Sequence, residues 1–481
     1  MNVNREDVIV SAFSSILLEE LSAEESFNSL EEFGVTKALN LLCRSFERAL
    51  EAYDEAIFQE GDSRFASKEF KSRFILTTAG SVVVNRRRYS SKDGSVYLLD
   101  EAIDLPERVK VSPQLSRMAA IFATNASYQE SANALEYYIA DKLSKMTIAR
   151  QLEQNAELLK KTENTKPEEK IHTPVLDVEA DGCFVPLQRT RAQKEADKAG
   201  GKKKKKAHKE VRVFSAYSGK EAVAHKGKKR CNVTHFATTK PSKEAWEEFS
   251  ARLEQKYSTQ DVFYVNLACD GESSYLAGAK YLPGSVSCGY DLHHIPTKLA
   301  GVFGRDIAHE VYSTMKGLGF REGYDILTTY ADHLFEQTGD NKYRDITAFF
   351  RRHKRDMQTA FIYNLGTIEG TIAHIIGSRC KRFGGGWGPR LDAVSRLRAG
   401  QASGIRPALA HRKRTVDLPK ITKARELADI ESYIAALEQR ARANRSRQDS
   451  KQDVLPEYYH QAPIAHRSKN ERCHSLLRHW A

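Results

Sequence analysis

The stretch LDVEADGCFVPL (176–187) limits what this chain can fold into more than any other. Its apolar residues have the spacing of a buried β-strand, yet Asp177, Glu179 and Asp181 alternate along it. Residues two apart on a strand share a face, so one side carries all three carboxylates. A buried carboxylate without a partner costs on the order of several kcal/mol. The fold must therefore bring cations or water to that side of the strand.

The neighbouring sequence reads as β/α. EVRVFSAYSG (210–219) and RCNVTHFATT (230–239) are two more strands, and SKEAWEEFSARLEQKYS (242–258) is a helix opened by a serine cap. DVFYVNLACDG (261–271) is a strand, ESSYLAGAKYLP a short helix, and GSVSCGYDLHHI (284–295) a further strand. Three strands on short connections, then helix-strand-helix-strand, predict an α/β fold: a mixed five-stranded sheet flanked by helices. An all-helical insertion follows over about 296–364, then a helix from near Gly366 and another after GGGWGPR.

Ahead of the sheet, residues 5–60 show the three- and four-residue apolar spacing of helices. SRFILTTAGSVVVNRRRYSSKDGSVYLLDE (72–101) changes to β-branched runs broken by Ala-Gly and Asp-Gly, a hairpin or three-stranded meander. Its Arg86 and Arg87 could meet phosphates or simply guard a strand edge. Residues 112–159 read as helices with a short turn before Ser144, a plausible N-cap for KMTIARQLEQNAELL. Exposed Lys145, Thr147 and Arg150 near that helix start fit a helix-turn-helix reading DNA, although helical hairpins are common without that role. KKTENTKPEEK (160–170) is a linker. The expected organisation is thus a helical region at 1–66, a DNA-binding region at 67–160, an α/β domain at 161–403, and a basic, poorly packed tail at 404–481.

Charge narrows the class of partner. The formal net charge is +12 and the bases cluster, in KAGGKKKKKAHKEVR (198–212, with Lys203 and Lys204), AHKGKKR (224–230), FFRRHKRD (349–356) and AHRKRTV (410–416). One such run is usually a solvated loop, but four favour a polyanion through counterion release. No apolar run is long enough to span a bilayer, and the acidic N-terminus is unlike a signal peptide, so the chain reads as soluble and intracellular, with no membrane partner. The seven cysteines are odd in number and none lies at CxxC spacing, which suggests reduced thiols.

The chemistry rests on carboxylates at strand ends. Asp270 closes the strand in VNLACDGESSY, Asp181 precedes Gly182, and Glu369 sits among Ile368, Ile372, Ile375 and Ile376 on a helix. Taken singly, each is more often a turn residue or a solvated acid. Together, on this β/α order, they suit Mg2+ or Mn2+, and two ions roughly 3.5–4 Å apart support in-line phosphodiester displacement.

EADG, DGESSYL, YDLHH and GTIEGTIAHIIGSRCKRFGGGWGPRLDAVSRLRAG resemble the ISLre-type bacterial insertion-sequence transposases, of the DDE class with a ribonuclease-H-like core. The resemblance runs from the N-terminal helices to about Gly400. It implies that Asp181, Asp270 and Glu369 form a metal-binding triad for Mg2+ or Mn2+, supported by Asp291 and His294, which match an element found after the fifth strand. His293 stands there in place of a more usual aromatic, GGGWG is richer in glycine than the family's turn, and the KKKKK run is an expansion. For the secondary residues two readings stay open. His294 contacts phosphate or organises Asp270, or else only caps the insertion; Trp387 stacks on a base or plugs the core; Glu179 is a fourth ligand or is salt-bridged. His374 and Arg379 are candidates for phosphate contacts. The activity implied is cleavage at the element's ends and joining of the 3′-hydroxyl to target DNA, by a homodimer or higher oligomer on double-stranded DNA in the bacterial cytoplasm, associated with the nucleoid. The alternatives are a metal-dependent nuclease without strand transfer and a catalytically idle DNA-binding regulator.

Overall fold

The computed structural model describes residues 27–92, 94–139, 141–163, 169–188, 207–223, 227–363, 365–381 and 386–411, together with residues 10, 13–17, 192 and 195. Lys203, Lys204 and the expected tail from residue 412 onward lie outside the described residues. Two compact units divide the chain: one takes residues up to Leu115 and Ala132–Ser144, the other Ser116–Ser131 and Lys145–Leu409.

In the first unit the long helix α1 (Phe27–Glu60) packs on an antiparallel meander of β1 (Ala66–Thr77), β2 (Gly80–Ser91) and β3 (Gly94–Val96). β-branched residues on one face of β2, Val82 and Val84, meet Ile57 of α1 and Leu98 and Leu99 of the short helix α2 (Leu98–Ala102) in a dry core. The arginine run of β2 corrects an expectation. Arg87 is buried, pairing with Asp54 at 2.7 Å and with Glu55 from α1. Arg86 is buried too, pairing with Asp100 at 2.8 Å, and Arg73 reaches the same carboxylate at 2.6 Å. Neither arginine faces phosphate or guards an edge, because each neutralises an acid that folding has removed from water.

Three helices follow as the periodicity predicts: α3 (Pro113–Asn125), α4 (Tyr128–Tyr138) and α5 (Lys145–Glu163), the last beginning directly after Ser144. Lys145 and Arg150 are exposed and Thr147 is half-buried.

The second unit is built on the five-stranded mixed sheet, in the order β10-β9-β4-β5-β8. Its strands are β4 (Val175–Pro186), β5 (His208–Tyr217), β8 (Thr234–Thr238), β9 (Tyr264–Cys269) and β10 (Ser285–Tyr290). β5 runs antiparallel to both of its neighbours, β4 and β8, whereas β4, β9 and β10 run parallel to one another. A small hairpin that the sequence reading missed, β6 (Lys220–Val223) with β7 (Gly227–Arg230), stands between β5 and β8 and carries part of one basic cluster. The period of two in β4 now has a cause. Leu176, Val178 and Ala180 point into a core with Phe214, Phe236, Trp246 and Phe249, the last two from α6 (Ser242–Lys256). Asp177, Glu179 and Asp181 take the opposite face.

After β9 comes the short helix α7 (Ser273–Leu276). After β10 the insertion is helical throughout: α8 (His294–Phe303), α9 (Arg305–Gly317), α10 (Phe320–Thr338), α11 (Lys342–Arg352) and α12 (Lys354–Tyr363), with its own core around Leu299, Val311, Leu327 and Phe350. The chain then returns to the sheet as α13 (Ile368–Ile372), which runs on through a π-turn over Ala373–Gly377 to Cys380. α14 (Leu391–Ala402) packs on β8 and α5; a Cβ on Gly400 would stand 2.9 Å from Leu159 Cδ2. Among the described residues no helix is long and apolar enough to cross a membrane, and the six cysteines are free thiols.

Candidate metal centre

The site grows from the register of the parallel strands. β4 pairs with β9 so that Val175 faces Tyr264 and Glu179 faces Ala268. Carried two residues further, the same register sets Asp181 beside Asp270, which directly follows β9. β9 in turn pairs Cys269 with Tyr290, so Asp291 emerges at the same level from β10, its N–H donating to the Cys269 carbonyl at 2.8 Å. Asp270 and Asp291 thus leave the carboxyl ends of β9 and β10, the edge where open α/β sheets place their chemistry. Asp181, expected at a strand end, instead lies inside β4, just past the last residue that pairs with β9.

Asp181, His294 and Glu369 each present one ligand atom, and these atoms lie within 4.8 Å of one another. His294 Nε2 stands 3.6 Å from Asp181 Oδ2 and 3.8 Å from Asp291 Oδ2, ion-pair distances too long for hydrogen bonds. The Asp181 carboxylate, and beyond it Asp291 and Asp270, raise the imidazole above its ordinary pKa. Burial pushes the fully enclosed Asp291 carboxyl up to about 6, although it accepts the His293 N–H at 2.8 Å. Asp270 is half-buried and not a member of the close group; its Oδ1 accepts the Glu272 N–H at 2.9 Å. Of the triad expected from the resemblance, two acids meet directly and the third stands at the neighbouring strand end.

Gly182 explains why Asp181 is followed by glycine. It lies inside β4 rather than in a turn, and a Cβ there would come within 2.6 Å of Glu210 Oε1 and 2.7 Å of the Tyr275 hydroxyl. Gly366, at φ +124°, faces Asp291 Oδ1, which a Cβ would approach to 2.6 Å. A side chain at Gly366 would push on Asp291, and one at Gly182 would push β4 away from Glu210 and Tyr275 at the residue next to Asp181.

The donor set fits a divalent cation. Carboxylates suit Mg2+ or Mn2+, and an imidazole among them favours the softer of the two. Asp291 Oδ2 and His294 Nε2 are buried polar atoms without a hydrogen-bond partner, as expected of a group built for something further.

The remaining candidates find other work. Asp177 accepts the Asn266 amide at 2.8 Å. Glu179 accepts hydrogen bonds from the Tyr217 hydroxyl and from Thr367, so it is neither salt-bridged through those bonds nor a member of the ligand group. The first two acids of this face are therefore satisfied by hydrogen bonds, with Lys220 close enough to Asp177 and Glu179 to add a favourable charge interaction. Arg379 donates to the Ala126 carbonyl at 2.7 Å and stacks on Trp387, whose indole N–H bonds the Cys380 carbonyl; this pair braces the fold and is not presented to phosphate. His374 is exposed on the π-turn. Thr367, Tyr217 and Gly366 escaped the sequence reading, since nothing local links them to Glu179.

An α/β protein with an acidic strand-end cluster completed by a returning helix is the class that the fold and the site define. The chain belongs to the family described as Uncharacterised protein family (UPF0236), whose model matches residues 22–305. It is 23% identical over 332 residues to the UPF0236 protein in vanSb 3′region of Streptococcus gallolyticus, covering 66% of this chain and 69% of that one. Among solved structures it matches a chain of the Drosophila P element transposase strand transfer complex at a TM-score of 0.23 and 10% identity, over 62% of this chain and 79% of that one. A score that low does not establish a shared fold.

Proposed function

We propose that this protein is a DDE-class transposase with a ribonuclease-H-like core, which binds the ends of an insertion sequence, cleaves DNA strands there and joins the freed 3′-hydroxyl to target DNA. The observation that carries the reading is the meeting of Asp181 and Glu369, 188 positions apart, beside the strand end that bears Asp270. The strand order, the helical insertion and the motifs shared with ISLre-type transposases support it.

Asp181, Glu369 and Asp270 would hold Mg2+ or Mn2+, one ion or two, with His294 at the margin of the set. Bound divalent ions supply charge neutralisation at the scissile phosphate and lower the pKa of an attacking water or hydroxyl. The chain's own residues do the positioning. Asp291 fixes the entry of α8 through the His293 N–H, and so the place of His294. Exposed Lys145 and Arg150 would contact the DNA backbone, and the basic hairpin around Lys228 and Lys229 offers a second contact. Double-stranded DNA is then the partner, a dimer or larger assembly would pair two ends, and the bacterial nucleoid is the place of action.

Joining of pre-cleaved terminal DNA to a target plasmid tests this. Joined products with Mg2+ or Mn2+, lost in Asp270→Asn while DNA binding persists, are expected. Nicking without joining would reduce the protein to a nuclease; binding without either would make it a regulator.

A further inference from the structure

Glu179 lies two residues before Asp181 on the same face of β4, about 6.7 Å away along the strand. It is fully buried, and both of its oxygens are engaged. Oε1 accepts the Tyr217 hydroxyl at 2.6 Å; Oε2 accepts the Thr367 N–H at 2.8 Å and the Thr367 hydroxyl at 2.7 Å. Thr367 is the N-cap of α13, and Glu369 follows two residues later. Its hydroxyl makes no bond within its own helix cap, being turned instead to Glu179. Arg230 closes the arrangement from β7, donating to the hydroxyls of Thr367 and Thr371 at 3.2 Å. A carboxylate at a helix N-terminus also meets the positive end of the helix dipole.

One hydrogen-bonded rung therefore joins β4 to the start of α13, Glu179 to Thr367. Two residues further along each element, Asp181 and Glu369 face one another without a bond, their ligand atoms within 4.8 Å. Resting on the metal-centre reading above, we propose that Glu179 is a positioning residue, which locks the start of α13 so that Glu369 is presented to Asp181 at ligand distance. With both oxygens taken by neutral donors, it is not itself a ligand. Its action is to remove the freedom of a helix that approaches the sheet from a distant part of the chain. Partners of ligands typically change metal affinity by about 10- to 100-fold when lost.

The test is Mn2+ uptake by the full-length chain, read from the loss of the free-ion signal in electron paramagnetic resonance, with thermal melting measured in parallel. Glu179→Gln is expected to weaken Mn2+ binding about tenfold or more. Thr367→Val, a near-isosteric loss of one hydroxyl, should weaken it in the same direction, and Thr367→Ser should keep parental affinity. Because Thr367→Val leaves the buried carboxylate in place, it serves where Glu179→Gln does not fold. Parental Mn2+ affinity in Thr367→Val or in folded Glu179→Gln, with only the melting temperature lowered, overturns the positioning role and leaves the metal centre standing. A parent chain that takes up no Mn2+ overturns both.

Discussion

Replacing Arg87 by alanine separates a buried structural arginine from a phosphate contact. The side chain makes charge-assisted hydrogen bonds to Asp54 and Glu55 and lies over the rings of Phe58 and Phe70 at 4.3 and 4.7 Å. Asp54 is only 1% exposed and Glu55 7%. Burial raises the Asp54 pKa even with Arg87 in place, so the guanidinium only partly offsets the cost of desolvation. Removing it strands two carboxylates, and breaking a buried pair in this way costs about 3–5 kcal/mol. For a unit of this size each kcal/mol moves the midpoint by roughly 4–8 °C, so the melting of the first unit should fall by roughly 12–40 °C. Calorimetry on the full-length chain reads that transition. Arg87→Met combined with Asp54→Leu and Glu55→Leu should recover most of the loss, because an apolar trio leaves no stranded charge. An unchanged melting temperature in Arg87→Ala, together with weaker DNA binding and a shallower salt dependence, would refute the reasoning and return Arg87 to the phosphates.

Other outcomes follow from the same structure. Gly182→Ala should cost about 1–3 kcal/mol by overpacking against Tyr275 and Glu210, and should abolish nicking of supercoiled plasmid by displacing Asp181; a parental melting point and activity would contradict this. His235 is buried beside Arg230, Arg252 and Lys256, and burial first, then these cations, lowers its pKa from 6.5 to about 3. The folded state therefore binds fewer protons than the unfolded state between those values, and stability should hold above pH 7 and fall as the pH drops from 6.5 toward 3. Urea midpoints at pH 7.5 and 5.0 should show that loss, and His235→Leu should lessen it; equal slopes for both proteins would exclude His235 as the cause. Lys145→Ala with Arg150→Ala should weaken binding to all DNA sequences and lower the salt slope by about 0.9 per lost phosphate contact; an unaltered slope in a filter-binding series would move the DNA elsewhere.

The sheet was legible because β4 and β9 obey a period of two or a continuous apolar run, and because Asp270 sits where the run of β9 stops. Asp181, followed by glycine, looked like a strand end but lies inside β4, which continues to Pro186. The constant offset between the paired strands made their meeting a matter of register. What stayed hidden depended on partners far along the chain. The alternation of Asp177, Glu179 and Asp181 announces a burdened face, but cannot say that Asn266, Tyr217 and Thr367 relieve the first two. Arg86 and Arg87 carry no local mark separating a buried ion pair from an exposed basic ribbon, since their acids come from α1 and α2. The β6–β7 hairpin was missed because its two strands are short, charged and nearly free of apolar alternation.

The central claim is that Asp181 and Glu369, with Asp270 beside them, form a divalent-metal centre that breaks DNA strands. Nicking of supercoiled plasmid carrying candidate terminal repeats, with and without Mn2+, tests it most directly in the parent chain, Asp181→Asn and Glu369→Gln. Metal-dependent nicking by the parent alone, with DNA binding kept by all three proteins, is the predicted result. Equal nicking by parent and variants, or nicking unchanged by a chelator, would contradict it.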